Sequence, residues 1–131
     1  MGMPIHHMIS DGPRPVAPFS HACEADGWVF ITGQMPTDPN NPDAPLPEGI
    51  EAQTAQVMEN LKTVLKGLDL GLENVTFARV YITEFKRDYA AMNKVYESYF
   101  TPGKLPGRTC VGVTGLAVDA LVEIDLVARR P

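Results

Sequence analysis

The hydrophobic and polar positions of this chain form short apolar runs and two longer stripes, and each change of period marks an element. Ser20 to Glu24 and Trp28 to Thr32 read as strands, and Ala25-Asp26-Gly27 between them has the chemistry of a hairpin turn. Gly33-Gln34 ends the second run, where a glycine permits close approach of a ligand or backbone. From Glu51 to Gly67 the period lengthens. Ala55, Met58, Leu61, Leu65 and Leu68 recur at three and four residues, the stripe of an amphipathic helix. Lys62 and Lys66 complement the negative end of that helix, and Gly67 or Gly71 can stop it. Val75 to Ile82 returns to β-branched and aromatic residues and predicts a strand. The spacing then predicts a helix from about Arg87 to Phe100, with Tyr89, Met92, Val95, Tyr96 and Phe100 on its inner face, ended by Thr101-Pro102-Gly103. Two last strands follow, one entered at Arg108 and the other carrying Val122, Ile124, Leu126 and Val127.

The expected order is therefore β-β-α-β-α-β-β, an α/β chain of the α+β kind. Two helices cover only one face of such a sheet, so the other must meet solvent or another subunit. The apolar character of the final strands favours a subunit, and an oligomer is expected. Residues 1–19 read as a proline- and glycine-rich arm, and the five prolines between Pro36 and Gly49 read as an irregular surface loop.

Composition narrows the classes. A chain of 131 residues with 44% hydrophobic content fits one globular domain spanning 1–131. A net charge of −5 argues against nucleic acid or an anionic membrane as the main partner. No run approaches the roughly 20 apolar residues of a membrane span. Met1 to Met8 lacks a basic region followed by an apolar run, so no secretory signal is expected, and Cys23 and Cys110 are expected to stay reduced in a cytoplasmic protein.

The chemistry centres on Leu105-Pro106-Gly107-Arg108-Thr109-Cys110-Val111-Gly112-Val113 and on Val122-Glu123-Ile124-Asp125-Leu126. Alternation puts Arg108, Cys110 and Gly112 on one face, with Thr109, Val111 and Val113 on a more apolar face that anchors the strand in a core. The planar fork of an arginine suits a carboxylate held at two points. Glu123 and Asp125 share the polar face of the next strand, and a carboxylate near an anion-binding arginine suits acid–base work on a small carboxylate. The plain alternative is a cross-strand ion pair of little energetic weight. Paired as a simple hairpin, with Val113 opposite Val122, the last two strands would set Glu123 against Gly112 rather than Arg108. Phosphate-loop, dinucleotide-binding, C-x-x-C, H-E-x-x-H and G-x-S-x-G patterns are absent. His6-His7 has no acid or cysteine at ligand spacing, so no metal is expected there, and His21 is expected to pack or meet solvent. Cys110 has no histidine near it in sequence, which argues against covalent catalysis.

Five stretches, in order from about Pro18 to Ala128, resemble the RidA/YjgF family. They are Ile31-Thr32-Gly33-Gln34-Met35-Pro36; Ile50-Glu51-Ala52-Gln53-Thr54 with Asn60-Leu61; Met92-Asn93-Lys94-Val95-Tyr96-Glu97-Ser98-Tyr99-Phe100; Leu105 to Val111; and Val122-Glu123-Ile124. The resemblance implies a chorismate-mutase-like subunit with two helices on one face of a mixed sheet, a homotrimer, and clefts between subunits. It also implies hydrolysis of reactive 2-enamine and 2-imine carboxylates to 2-oxo acids and ammonia, without metal or other cofactor. By position, Arg108 would hold the substrate carboxylate, Cys110 would line the cleft and offer backbone groups, and Glu123 would orient water. Thr32 stands where the family usually has serine, Gly33 matches its glycine, and Asn93 matches its helix asparagine. Two departures follow. Ala17-Pro18-Phe19 replaces a G-P-Y motif, so Phe19 lacks the phenolic hydroxyl and suits a substrate with more apolar bulk. Pro106-Gly107-Arg108-Thr109 replaces the more usual proline-alanine-arginine-serine. The alternatives within the same cleft are a protein that binds or senses 2-oxo acids, and a deaminase for a larger catabolic enamine.

Overall fold

A computed structural model describes residues 2–131; Met1, the first residue of the expected arm, lies outside the described residues. Six strands form one sheet: β1 (Ile5–His7), β2 (Ala22–Ala25), β3 (Trp28–Gln34), β4 (Val75–Ile82), β5 (Gly107–Gly112) and β6 (Val122–Arg129). Their spatial order is β1-β2-β3-β6-β4-β5. Only β4 and β5 run parallel, so the sheet is mixed, and the two helices, α1 (Ile50–Gly67) and α2 (Phe85–Ser98), pack on one face. The expected fold class is the one observed, apart from one addition. Residues 1–19 are not all irregular: Ile5–His7 pairs antiparallel with β2 as an edge strand.

Sequence chemistry accounts for the joints. Asp26 and Gly27 both take positive φ, 53° and 83°, which is the requirement of a two-residue hairpin between Ala25 and Trp28. Neither Gly67 nor Gly71 makes the left-handed turn after α1. Asp69 does, at φ 60°, while the Leu70 amide returns to Leu65 O at 2.9 Å. Asp can visit this region because its short polar side chain bonds locally.

The core lies between the sheet and the helices. Val29, Ile31, Val80, Ile82, Ile124 and Leu126 meet Val57, Met58, Leu61, Val64, Leu65 and Met92, all at 2% exposure or less. Each such side chain contributes about 1.5–3 kcal/mol when buried. The expected α1 stripe is incomplete, since Val57 and Val64 also face inward while Ala55 is only half-buried. Polar residues complete that helix face. Gln53 Nε2 donates to Pro47 O and its Oε1 accepts from the Leu121 amide. Asn60 donates to both Met35 O and Thr37 O, so these two amides fasten the proline-rich loop against α1.

The last two strands do not form a hairpin. β4 lies between them, paired parallel to β5 and antiparallel to β6. The nine residues from Val113 to Leu121 carry the chain across β4, with Val118 and Asp119 both at positive φ. No helix among the described residues is long and apolar enough to cross a membrane.

Candidate active site

β5 inherits its orientation from β4. Arg108 lies beside Ala78, Cys110 beside Val80 and Gly112 beside Ile82, and those three β4 side chains are fully buried under the helices. Arg108 and Cys110 therefore face α2. Gly112 lies close under that helix, for a Cβ there would meet Phe85 Cβ at 3.1 Å. The expectation that Val111 and Val113 anchor a core face is corrected. Val111 is 42% exposed on the open side of the sheet and Val113 only half-buried, while the face with the charge is the covered one. A polar pattern misleads here because the covering helix is itself aromatic and polar at this edge.

The Arg108 guanidinium carbon lies 5.0 Å from the centre of the Tyr96 ring and 5.9 Å from that of Tyr89. Its Nη2 donates to Tyr89 Oη at 3.4 Å, and no carboxylate of a described residue forms an ion pair with it. A hollow of about 290 Å³ is lined by Arg108, Asn93, Tyr96, Glu97, Leu105 and Pro106. Within this region Asn93 Oδ1 and Tyr96 Oη are buried and have no hydrogen-bond partner. Burial pushes the Tyr96 hydroxyl up to about 12, against a smaller opposing pull from Arg108, so it stays protonated as a donor. Burial likewise pushes the Cys110 thiol up, although Arg108 pulls the other way, which disfavours a thiolate nucleophile.

The other expected residues gather on the opposite side. Between the pairs Ile31–Leu126 and Gln34–Ile124, β3 carries one residue more than β6, a bulge at Thr32 and Gly33. There a Cβ on Gly33 would stand 2.0 Å from Glu123 Oε2, so a side chain at 33 would push that carboxyl out of its present place. Burial first, and the negative charge of Asp125 second, push the Glu123 carboxyl up, favouring its protonated form. Thr32 Oγ1 donates to Ser20 O at 2.7 Å, which commits its proton. Phe19 is 40% exposed and borders a small crevice with Gly33, Gln34 and Arg14. A groove of about 440 Å³ continues from Thr32 and Gly33 over Phe30, Arg79, Asp125 and Val127.

One chain thus divides the expected residues into two groups, each a half-site of the expected cleft. Arg108, Cys110 and Asn93 lie together on the helix side; Thr32, Gly33 and Glu123 lie together on the open side, with Phe19 near Gly33. Arg108 and Glu123 point away from each other on strands separated by β4, and because Arg108 lies beside Ala78 and Glu123 beside Tyr81 their backbones are roughly 14 Å apart before the side chains diverge. The side-by-side pairing of Arg108 and Glu123 suggested by strand parity does not occur within a chain.

Sequence reasoning missed three further neighbours. Tyr89 was expected on the inner face but is exposed, stacked on Phe85 at 4.6 Å beside Arg108. Tyr96 and Glu97 also border the arginine. The available signal was spacing: Tyr89, Asn93 and Tyr96 recur at four and three residues, on one helix stripe with the asparagine already singled out. No group of three or more histidine, cysteine, aspartate or glutamate side chains among the described residues could hold a metal ion. His6 and His7 go separate ways, His6 beside Cys23 at 3.7 Å and His7 to Glu24 at 3.0 Å. His21 packs, accepting from the Ile9 amide at 2.9 Å.

The profile of the family described as Endoribonuclease L-PSP matches residues 9–130. A RutC family protein of Synechocystis is 38% identical over 122 residues, 93% of each chain. The 3-aminoacrylate deaminase RutC of Acinetobacter baylyi is 38% identical over 128 residues, 97% of this chain and 99% of that one. Among solved structures, E. coli TdcF with bound serine superposes with a TM-score of 0.87 at 27% identity, covering 95% of this chain and 99% of that one.

Proposed function

We propose that this chain, which belongs to the Endoribonuclease L-PSP family (the RidA/YjgF family), hydrolyses small 2-imine and 2-enamine carboxylates to 2-oxo acids and ammonia. The observation that carries the reading is the unpaired Arg108, framed by a buried Tyr96 hydroxyl and Asn93 Oδ1 that have no partners. A ligand carboxylate satisfies the guanidinium bidentately, and the two orphaned polar atoms can engage its neighbouring groups. The family name speaks of RNA cleavage, but a net charge of −5 favours a small carboxylate over a polyanion.

The chemistry needs little machinery. An imine carbon is already electrophilic, so water adds to it, a proton passes to nitrogen, and ammonia leaves as the carbonyl forms. An enamine first takes a proton on carbon and gives one up from nitrogen to become that imine. Glu123, whose environment favours the protonated form, is suited to exchanging that proton with substrate and water. Because the half-sites face opposite sides of the sheet, the complete site takes Arg108, Asn93 and Cys110 from one copy and Thr32, Gly33, Glu123 and Phe19 from the next. A homotrimer closes three such clefts, and the exposed Phe30, Trp28 and Val111 of the open face supply apolar surface for it.

The test generates imines in situ with an amino-acid oxidase and follows 2-oxo acid release. Arg108→Ala should lose about 2–5 kcal/mol of transition-state binding, a fall of roughly 30- to several-thousand-fold. An equal rate in wild type and Arg108→Ala would remove the anchor. Mixing subunits carrying Arg108→Ala with subunits carrying Glu123→Gln should restore activity, since some clefts then receive both intact halves. Failure of refolded mixtures to exceed either parent would place the whole site within one chain. The exposed ring of Phe19 favours substrates with an apolar side chain over the smallest imine. Tight binding of 2-oxo acids without turnover would favour the sensing alternative.

A further inference from the structure

β6 sets two acids on the open face two residues apart, and the fold treats them differently. Asp125 lies opposite Arg79 on β4, and Glu123 opposite Tyr81. Both oxygens of Asp125 are engaged: Arg79 Nε donates to Oδ1 at 2.9 Å, and Tyr81 Oη donates to Oδ2 at 3.1 Å. The Asp125 side chain is only 16% exposed, so this brace is largely shielded on its acidic side. Glu123 has no hydrogen bond or ion pair with a described residue, and it rests against Gly33. Two carboxyl groups on one strand face are about 7 Å apart along the backbone, close enough for each charge to be felt by the other.

We propose that Asp125, locked by Arg79 and Tyr81, is a positioning residue for Glu123: its fixed negative charge adds to the burial of Glu123 and biases the exchangeable proton of the pair onto Glu123. The arrangement divides labour between neighbouring acids in different environments, one engaged on both oxygens and one left free to exchange. Within one chain the groups facing Glu123 are few, and in the proposed trimer Arg108 of the next copy joins them, a cation present alike in wild type and in the variants tested below. β6 contributes Asp125; β4 contributes Tyr81 and Arg79; β3 contributes Thr32 and Gly33, neither of which titrates; β5 contributes Thr109 and Val111 to this face. Tyr81 is itself pushed up, by burial first and then by Asp125, so it remains a donor to Asp125 and offers Glu123 no charge. Arg79 is turned to Asp125 through Nε and moderates, without abolishing, the field at Glu123. The kinetic consequence rests on the deaminase reading, whereas the titration of Glu123 does not.

The experiment follows the side-chain carboxyl carbon of Glu123 by 13C NMR across pH in the ligand-free protein, its signal assigned by its loss in Glu123→Gln. Asp125→Asn, nearly isosteric, should lower the Glu123 midpoint by about half to one pH unit. Arg79→Gln leaves the Asp125 charge uncompensated and should raise it, and Arg79→Lys should return it toward wild type. A general loosening of the sheet would move both variants the same way, which overturns the proposal, as does an Asp125→Asn midpoint within 0.2 pH unit of wild type. In parallel, the limb of the kcat profile assigned to Glu123 should move with the NMR midpoint while KM for the carboxylate substrate stays put. If the midpoint moves and no limb of the kcat profile follows, the charge relation stands and the catalytic role of Glu123 falls.

Discussion

The two edges of the sheet handle charge in opposite ways. At the β1–β2 edge Glu24, Arg130 and His7 form a fully engaged cluster. Arg130 donates to both oxygens of Glu24, at 2.7 and 2.9 Å, and through Nη1 to Leu68 O at the end of α1. His7 adds a third contact to Glu24 at 3.0 Å. At the β5 edge Arg108 is met by two aromatic rings and one long hydrogen bond, with two buried polar atoms left unpartnered beside it. Both edges carry a half-buried arginine, so residue type and burial do not separate them. Satisfaction does: the first edge ties strand, helix and chain end together, whereas the second tolerates an unfavourable arrangement that a carboxylate would relieve.

The largest effect on stability belongs to the satisfied edge. Arg130, joined by His7, holds the Glu24 carboxyl down at about 2 against the opposing effect of burial. Arg130→Ala removes that partner and opens the Leu68 carbonyl, and it should cost about 2–3 kcal/mol in urea denaturation at pH 7. Activity per folded subunit should not change, because no part of this cluster touches either half-site. A loss below about 0.5 kcal/mol would erase the contrast between the edges.

A pH series sharpens the same point. Glu24 titrates near 4.5 when unpaired and about 2 in the fold, so its contribution is fully present above pH 4.5 and disappears as pH falls toward 2. Wild type should therefore lose roughly 2 kcal/mol across that window beyond what Arg130→Ala loses, measured as the difference in urea stability at pH 5 and pH 2.5. Parallel pH curves for the two proteins would mean that Arg130 does not set the Glu24 proton equilibrium.

How far the sequence announced these regions depends on the range of the contact. Local periodicity was enough for both helices, for Val75–Ile82 and for the hairpin at Asp26-Gly27, since each is decided within about one turn or two strands. The glycine at 33 was legible as a site of close approach, but not what approaches it, because Glu123 arrives from β6, some ninety residues away. The strand Ile5–His7 was hidden among prolines because its pairing partner, not its composition, makes it a strand. Insertion of β4 between β5 and β6 likewise left no local trace, and with it went the faces of Arg108 and Glu123. Arg130 was invisible as a clamp for the same reason: its partners sit on β2 and at the end of α1. The candidate site residues could be named by resemblance, while their division between two faces required the order of the strands.

The smallest expected effect is the most telling. Replacing Arg108 by methionine keeps a long apolar stem against Tyr89 and Tyr96 and removes the charge. The stem contact is retained, the cation–π attraction of about 0.5–1 kcal/mol is lost, and a cation without an anion is no longer desolvated. These terms oppose one another, so urea stability should move by no more than about 0.5 kcal/mol in either direction. The same variant should be as inactive on imines as Arg108→Ala, since neither can hold a carboxylate. A residue that matters greatly to turnover and hardly at all to folding is what an unsatisfied edge means in energetic terms. A stability loss near 2 kcal/mol would show instead that the aromatic pair is a sufficient structural partner for the guanidinium. The β5 edge would then belong with the β1–β2 edge, as part of the scaffold.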